Sequence, residues 1–303
     1  ALAIAATHRD GASGPVSAPD APERRWQLRA GTGIHYDSNP TLDPNQPRED
    51  AVFVFSAGGR VDLLRRAGAL VRLDYDFYQS LHADEQAFDL RSHRFALSAS
   101  AQLAAAVWVG LQGGYDHHAL AGHAYLQEPW VTPFVTVLEP DVGLTQVWYR
   151  HSEQDFLGSP FGKTRDGPSD GVGLNQVLYL GNPNRHLQLG YEYGEDTPHR
   201  AAGDDWARRW HEGSIGVELP AWFETTVGVG YAYRHDDYSE PNTFDAQKRE
   251  RADASHLAHA AVTRAVGDHV HVELGYYGTI AGSNIGLFDY HRHIVGLTVQ
   301  ATY

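Results

Sequence analysis

The sequence lacks cysteine, methionine and any long apolar run. The absence of cysteine among 303 residues excludes disulfides, thiolate metal ligands and a cysteine nucleophile. No apolar run reaches the roughly 20 residues that a transmembrane helix needs. Mean hydropathy is −0.43, as in many soluble proteins. Strands that show only every second residue to lipid remain compatible with these values.

Positive charge is also scarce. The chain has 24 Lys and Arg against 38 Asp and Glu, so its net charge is −14. We therefore expect no nucleic-acid partner, because nucleic-acid binding depends on basic residues that neutralise phosphates. Tyrosine, tryptophan and glycine are abundant, at 16, 7 and 31 residues. This combination suits a β-barrel with aromatic girdles at two lipid–water interfaces.

The first part of the chain differs in composition from the rest. Residues 1–24 are rich in Ala, Pro, Ser, Gly and Asp, and we predict a flexible periplasmic leader without a fold of its own. Its first residues resemble the end of a secretory signal with an Ala-x-Ala cleavage site. An arbitrary chain boundary is the alternative interpretation. Residues 25–303 form the predicted barrel domain.

Period-two alternation begins at Trp26 and recurs along the chain. In one stretch Leu73 and Tyr75 alternate with Arg72, Asp74 and further polar residues. A strand separates such residues into two faces, whereas a helix does not. We predict an all-β, transmembrane, up-and-down antiparallel barrel of about 14 strands, with these spans: 25–37, 51–64, 69–80, 87–103, 106–117, 125–138, 141–152, 170–180, 185–195, 207–219, 223–236, 252–265, 269–280 and 287–303.

The predicted connections alternate strictly between short and long. The long ones cover 38–50, 81–86, 118–124, 153–169, 196–206, 237–251 and 281–286. Outer-membrane barrels have tight periplasmic turns and longer outer loops. With an even strand number, this pattern predicts periplasmic termini in the outer membrane of a Gram-negative bacterium.

Aromatic residues cluster near the predicted strand ends. Such rings, with polar tips, suit the two membrane interfaces, although ordinary enrichment of aromatics in strands is the alternative. The predicted girdle residues are Trp26, Tyr36, Tyr75, Tyr115, Trp148, Tyr191, Tyr231, Tyr276 and Tyr303. The aromatic that ends the last strand also resembles an assembly signal, which implies the barrel assembly machinery as a partner.

The other face of the alternation supplies candidate pore-lining residues of both charge signs. They are Arg29, Arg60, Arg72, Asp74, Asp76, Arg94, Gln112, Asp116, Asn175, Gln188, Glu192, Arg234, His271 and Glu273. Two interpretations remain open: these groups line a water-filled channel, or they pair and plug the lumen. The many glycines on this face would either leave lumen space or allow the wall to bend.

Histidines and acidic residues are the candidate sites of chemistry. Two histidines on one strand face, such as His291 and His293, can chelate a metal, but no third ligand is fixed nearby. A barrel phospholipase would need a His-x-Ser motif, which is absent. Asp74 and Asp76 share a face and are expected to approach the outer rim, which leaves an outer-rim hydrolase as a minor alternative. We predict no catalytic residues, no metal and no cofactor.

The two ends of the barrel domain carry a family resemblance. Ser283-Asn284, Phe288-Asp289-Tyr290, Arg292 and the terminal aromatic resemble the closing hairpin of the C-terminal barrel of surface lipoprotein assembly modifiers and related tetratricopeptide-repeat export barrels. Tyr36-Asp37-Ser38-Asn39 is similar to the first strand and loop of that group. The resemblance implies movement of lipoproteins or polysaccharide across the outer membrane. The helical repeats of that family are not present in these residues.

Together these patterns predict an outer-membrane channel or export conduit for polar solutes, polymer or secreted cargo. The alternative is a plugged structural barrel that binds a partner through its outer loops or leader. Expected partners are outer-membrane lipid and lipopolysaccharide, the assembly machinery, and a periplasmic or surface protein.

Overall fold

The computed structural model describes residues 24–158 and 162–303, so most of the predicted leader lies outside the described residues. Fourteen strands dominate the described chain. Their bounds are β1 Trp26–Asp37, β2 Asp50–Arg66, β3 Ala69–His82, β4 Leu90–Ala104, β5 Val107–Leu120, β6 His123–Glu139, β7 Gly143–Phe156, β8 Gly167–Asn182, β9 Arg185–Asp196, β10 Arg208–Pro220, β11 Thr225–Pro241, β12 Glu250–Val266, β13 Val270–Ser283 and β14 Tyr290–Thr302.

The strands form one closed antiparallel barrel. Each pairs with its neighbours in chain order, and β1 closes the ring by pairing with β14. At this seam Gly31 lies opposite Gln300, and Tyr36 lies opposite Val295. Closure satisfies the backbone of both edge strands, which a bilayer requires. The prediction of a 14-strand antiparallel barrel is confirmed, while the periplasmic position of the termini stays a prediction.

The outer face of the barrel is apolar. Leu97 and Leu274 are 50% and 54% exposed, although both lie in the middle of their strands. A continuous exposed apolar surface of this kind is suited to lipid rather than water. The residues that alternate with it face the interior. In the described part of the chain, no helix is long and apolar enough to cross a membrane.

The predicted loop boundaries are wrong at the connection between β5 and β6. A seven-residue loop was expected over 118–124, but both strands continue and only residues 121–122 connect them. Ala121 and Gly122 have φ angles of 49° and 78°. Positive φ at both positions suits a two-residue turn whose twist matches that of the strands. The short–long alternation is therefore not strict, because this turn lies at the long-loop end.

Four of the other six connections at that end contain short helices. They are η1 Gln86–Phe88, α1 Gly162–Arg165, η2 Ala201–Trp206 and η3 Gly286–Phe288. The loop after β1 is fixed by Asn39, which is 1% exposed and donates from Nδ2 to the carbonyls of Asp43 and His291 at 3.1 Å each. The loop after β1 is therefore folded onto the barrel rim.

Candidate functional site

The inner wall of the barrel is the candidate functional site. All fourteen residues predicted to line the pore lie on the inner face. On β3, for example, Leu73 faces outward at 44% exposure, and its neighbours Arg72 and Asp74 face inward. Period-two alternation on a closed sheet is sufficient to produce this placement. Contact with a passing solute stays a prediction.

Arginine–aspartate pairs cover the inner wall of β1 to β3. They are Arg29–Asp76 at 2.6 Å, Arg60–Asp74 at 2.8 Å and Arg72–Asp62 at 2.7 Å. Asp74 and Asp76 lie well inside β3, which continues to His82. The prediction that they approach the outer rim is therefore wrong, since the strand extends beyond its predicted end. Each carboxylate is held by an arginine, so neither is placed as a free catalytic acid.

A tryptophan with two arginines lies on the wall between β4 and β7. Trp130 lies so close to Gly114 that a methyl group on this glycine would come within 2.4 Å of the ring. The guanidinium groups of Arg94 and Arg150 lie 5.8 and 4.5 Å from the ring centroid. Asp116 accepts hydrogen bonds from Arg94 at 2.8 and 3.0 Å. Trp130 is only 7% exposed, because the glycine lies behind it and the arginines lie in front.

The same arrangement recurs between β9 and β11. Trp210 lies against Gly194, where an added methyl group would come within 2.1 Å of the ring. Arg208 and Arg234 lie 5.4 and 4.8 Å from the ring centroid, and both donate to Asp236, at 3.0 and 2.9 Å. We call the two sets Trp–Arg clusters. In each, cation–π contact and a buried carboxylate hold guanidinium groups at the lumen wall.

The remaining predicted wall residues are polar and lie on other strands. Gln112 is opposite Thr132, and Asn175 and Gln188 follow on β8 and β9. Glu273 accepts a hydrogen bond from Thr263 at 3.3 Å. His271 lies opposite Gln300 on β14. The wall is therefore polar around most of its circumference.

Inner-face glycines provide space for rings that lie against the wall. In each case a methyl group on the glycine would come within 2.4 Å of the ring: Phe134 on Gly110, Trp130 on Gly114, Trp148 on Gly173, Trp210 on Gly194, His259 on Gly230 and His35 on Gly296. The rings occupy the space that glycine leaves on the neighbouring strand. The glycines thus allow large rings to lie flat against the wall, and the two predicted uses of glycine, lumen space and bending, stay predictions.

Trp148 is one of these rings, and its predicted place in the girdle is wrong. It faces inward, and the adjacent Tyr149, which is 44% exposed, takes the outward position. Because these two consecutive residues are both aromatic, their composition alone does not show which one faces the lipid and which one faces the lumen. The other predicted girdle residues lie on the outer face or at its lower edge, where Trp26 and Tyr303 have ring centroids 5.6 Å apart.

A ring of seven tyrosines surrounds the outer face near the long-loop end. In every hairpin from an odd to the next even strand, a tyrosine hydroxyl bonds to a polar side chain at or near the start of the even strand. The pairs are Tyr36–Glu49, Tyr75–His93, Tyr115–Gln127, Tyr149–Asp170, Tyr191–His211, Tyr231–His256 and Tyr276–His293. We call this set the tyrosine ring. Six of these tyrosines belong to the predicted girdle. Their partners are not predictable from alternation, because each partner is diagonal across the hairpin.

Loops fold over one side of the barrel mouth. Arg251, at the start of β12, lies 3.4 Å from the ring centroid of Phe288 and 4.5 Å from that of Tyr238. Arg165 of α1 stacks on Trp206 of η2 at 3.3 Å. Burial lowers the pKa of the Arg165 guanidinium. This mouth cluster joins three loops above β8 to β13.

Two of the long loops are stabilised by hydrogen bonds to an aspartate within the loop. In the loop after β11, Asp245 accepts hydrogen bonds from the side chain of Arg249 at 2.8 and 3.0 Å. These bonds, with a backbone N–H at 3.0 Å, lower the pKa of the Asp245 carboxyl. In the loop after β1, backbone N–H groups of Gln46 and Asn45 lower the pKa of Asp43. Both loops are thus held by ionised carboxylates.

No metal centre emerges from the described residues. Within 24–158 and 162–303, no group of three or more histidine and acidic side chains is arranged to hold an ion. Four histidines instead bond to tyrosines on the outer face.

Comparison with known proteins gives likeness of fold. Neither a protein-family model nor a curated protein sequence matches the chain. It is similar to an anion-selective porin from Comamonas acidovorans (TM-score 0.55, 8% identity, 92% of this chain and 98% of that one). It is also similar to the monoaromatic hydrocarbon channel CymD (TM-score 0.50, 8% identity, 93% and 89%). Pseudomonas aeruginosa OprD aligns with a TM-score of 0.47 and 10% identity over 92% and 95%.

These two neighbours are described as a porin and a channel. The more specific resemblance to surface lipoprotein assembly modifiers and their repeat-bearing relatives receives no support from these comparisons. The chain therefore has the fold of a porin and of a channel, and the prediction of a closed antiparallel barrel is confirmed at the level of fold.

Proposed function

We propose that this barrel is a passive channel for small polar solutes in the outer membrane, with its long loops outside. The observation that carries the proposal is the inner wall, where arginines are fixed by neighbouring acids and by tryptophan rings. Solved neighbours of the same fold are described as a porin and a channel. Diffusion of this kind needs no cofactor.

The paired charges suggest how such a wall would treat a solute. A crossing solute gives up hydrogen bonds to water and needs replacements along the wall. Guanidinium and carboxylate groups supply both donors and acceptors. Because Arg60 and Asp74 neutralise each other at 2.8 Å, the wall offers hydrogen bonds with little net charge at this point. We expect weak ion selectivity at this pair.

The test is a double-mutant cycle that removes the charges of Arg60 and Asp74 singly and together. The reversal potential of each variant is measured in a planar bilayer under a salt gradient. Arg60→Gln leaves an unpaired carboxylate, which should shift selectivity toward cations. Asp74→Asn leaves an unpaired guanidinium and should shift it toward anions. The double variant should return close to the wild type.

A matched control is the exposed loop pair Arg48–Glu85, with an N–O distance of 2.9 Å. Arg48→Gln should leave the reversal potential unchanged if the lumen wall sets selectivity. Absence of conductance in the wild type at all voltages would contradict an open channel. Conductance with identical reversal potentials in all variants would contradict the assignment of Arg60 and Asp74 to the pore wall.

A second candidate, a gated or plugged barrel, is favoured by the mouth cluster. The stack of Arg165 on Trp206 links loops from separate hairpins above the lumen. If these loops close the mouth, Trp206→Ala should turn a silent barrel into a conducting one. If the wild type already conducts and Trp206→Ala changes nothing, the cluster does not gate. The export of lipoproteins or polysaccharide, which the family resemblance implied, has no supporting observation in the structure.

A further inference from the structure

Four members of the tyrosine ring have histidine as partner, and the relative basicity of the two groups assigns a role to each imidazole. The hydroxyls of Tyr75, Tyr191, Tyr231 and Tyr276 lie 2.9, 2.7, 2.7 and 2.9 Å from the Nδ1 atom of their histidines. Imidazole nitrogen is a stronger base than the phenol oxygen, so the tyrosine is assigned as donor. A neutral imidazole that accepts at Nδ1 carries its proton on Nε2.

The Nε2–H groups are available to a ligand. They belong to His93, His211, His256 and His293, and no side chain in the described chain bonds to any of these Nε2 atoms. Three of the four histidines are exposed on the outer face, and His93 is half-buried. Protonation of a ring would keep Nε2–H in place and add a positive charge.

The surroundings define the kind of ligand. Apolar side chains lie one pleat further from the loops, such as Phe95 at 49% and Val295 at 43% exposure. A ligand here would therefore have an apolar body beside the strands and an acceptor group at the level of the tyrosine ring. Arg91 adds positive charge on the outer face of β4. Arg209 on β10 is paired with Glu195 at 3.5 Å and lies opposite Asp237, so it adds no net positive charge there. An anionic lipid headgroup fits this description.

We propose that these four Tyr–His pairs bind the phosphate groups of a phosphorylated glycolipid, such as the lipid A part of lipopolysaccharide, in the outer leaflet. The assignment to this leaflet rests on the proposed orientation of the barrel. The pairs Tyr36–Glu49 and Tyr149–Asp170 place carboxylates at the same level, and carboxylates repel phosphate. Binding should therefore not extend to β1–β2 or β7–β8.

The test compares lipid binding to two fourfold variants. Replacing the four histidines by phenylalanine keeps the rings and removes the N–H donors. Replacing them by glutamine keeps a donor and an acceptor for tyrosine, as Gln127 already accepts from Tyr115 at 2.8 Å. Circular dichroism and heat-modifiable migration in gels would establish that each variant is folded. If the phenylalanine variant fails to fold, the single His256→Phe change is used instead.

Native mass spectrometry of the full chain in neutral detergent would count bound lipid. The probes are lipid A with two, one or no phosphates, phosphatidylglycerol and inorganic phosphate. We expect binding to fall with each phosphate removed, and on the order of tenfold per site in the phenylalanine variant, since each site loses one hydrogen bond to a charged group. The glutamine variant should bind like the wild type.

Equal binding by the phenylalanine variant, or by lipid A without phosphate, would overturn the proposal. Equal binding of phosphatidylglycerol would overturn the assignment to a glycolipid, and saturation by inorganic phosphate would overturn the assignment to lipid. Conductance is measured separately, so a silent barrel that still binds lipid A would refute the channel and leave this site intact.

Discussion

Substitution of Gly173 by alanine tests whether glycine holds the lumen rings against the wall. The new methyl group would come within 2.3 Å of the Trp148 ring. Carbon atoms pack at about 3.5–4.0 Å, so the ring has to move by about 1 Å or more. The backbone of the wall lies behind it, and the movement is therefore toward the lumen. Overpacking of this kind costs about 1–3 kcal/mol.

Gly228→Ala is the matched control. Gly228 also faces the lumen, but nothing lies within 4 Å of the added methyl group. Unfolding by urea in lipid vesicles, followed by tryptophan fluorescence, would give the free energy of unfolding for each variant. We expect a loss of about 1–3 kcal/mol for Gly173→Ala and almost none for Gly228→Ala. Conductance, if the barrel is open, should fall only in Gly173→Ala.

A double variant separates crowding from a backbone effect of alanine. With Trp148→Ala present, the added methyl group has no ring to displace, so Gly173→Ala should cost little. The two changes should therefore be strongly non-additive. Equal losses for Gly173→Ala and Gly228→Ala, or simple additivity with Trp148→Ala, would refute the reasoning.

Two further predictions concern the seam and a loop. At the seam, Arg292 on β14 donates from Nε to both carboxylate oxygens of Asp37 on β1, at 3.0 Å each. Asp37→Asn should lower the free energy of unfolding by about 3–5 kcal/mol, because it leaves Arg292, with a 3% exposed side chain, charged and buried. Adding Arg292→Gln should restore part of the loss, and an unchanged urea midpoint would contradict this. The pKa of the Asp245 carboxyl is lowered from its ordinary value of 3.8. The bonds from Arg249 therefore stabilise the loop fully at any pH above 3.8, and this stabilisation is lost only when the pH falls through the lowered pKa. Hydrogen exchange in 242–249 should therefore show equal protection, after correction for intrinsic rates, at pH 7 and pH 5, with protection lost at both in Asp245→Asn.

Side-chain alternation was sufficient to predict the fold. On β3, a charged residue stands at every second position. The charged residues are thereby assigned to the lumen and the residues between them to lipid, without knowledge of how β3 pairs with its neighbouring strands. The inward placement of Arg72 and Asp74 followed from this rule alone. The number of strands followed from the number of alternating stretches. These stretches are recognisable although the mean hydropathy of the chain is low.

The contacts within the candidate site could not be predicted in the same way. Whether Trp148 lies on Gly173 depends on which residues of β7 and β8 are opposite each other, and alternation carries no information about that. Trp148 was assigned to the outer face in place of Tyr149 for a related reason. Both residues are aromatic and adjacent, so their composition does not show which of the two faces lipid. The two-residue turn at Ala121 was not predicted, because neither Ala121 nor the histidines before it are residues that typically end a strand.

The tyrosine ring also has a consequence for how such barrels can change in size. Each hairpin contains its own tyrosine and its own partner, so a predicted interface contact of this kind lies within the hairpin and does not depend on the rest of the ring. Successive members, such as Tyr191 and Tyr231, fall about one hairpin apart in the chain. Insertion or deletion of a whole hairpin would therefore alter the circumference while the remaining strands stay at the same height. The hairpin is in this sense the unit by which this wall can be lengthened or shortened.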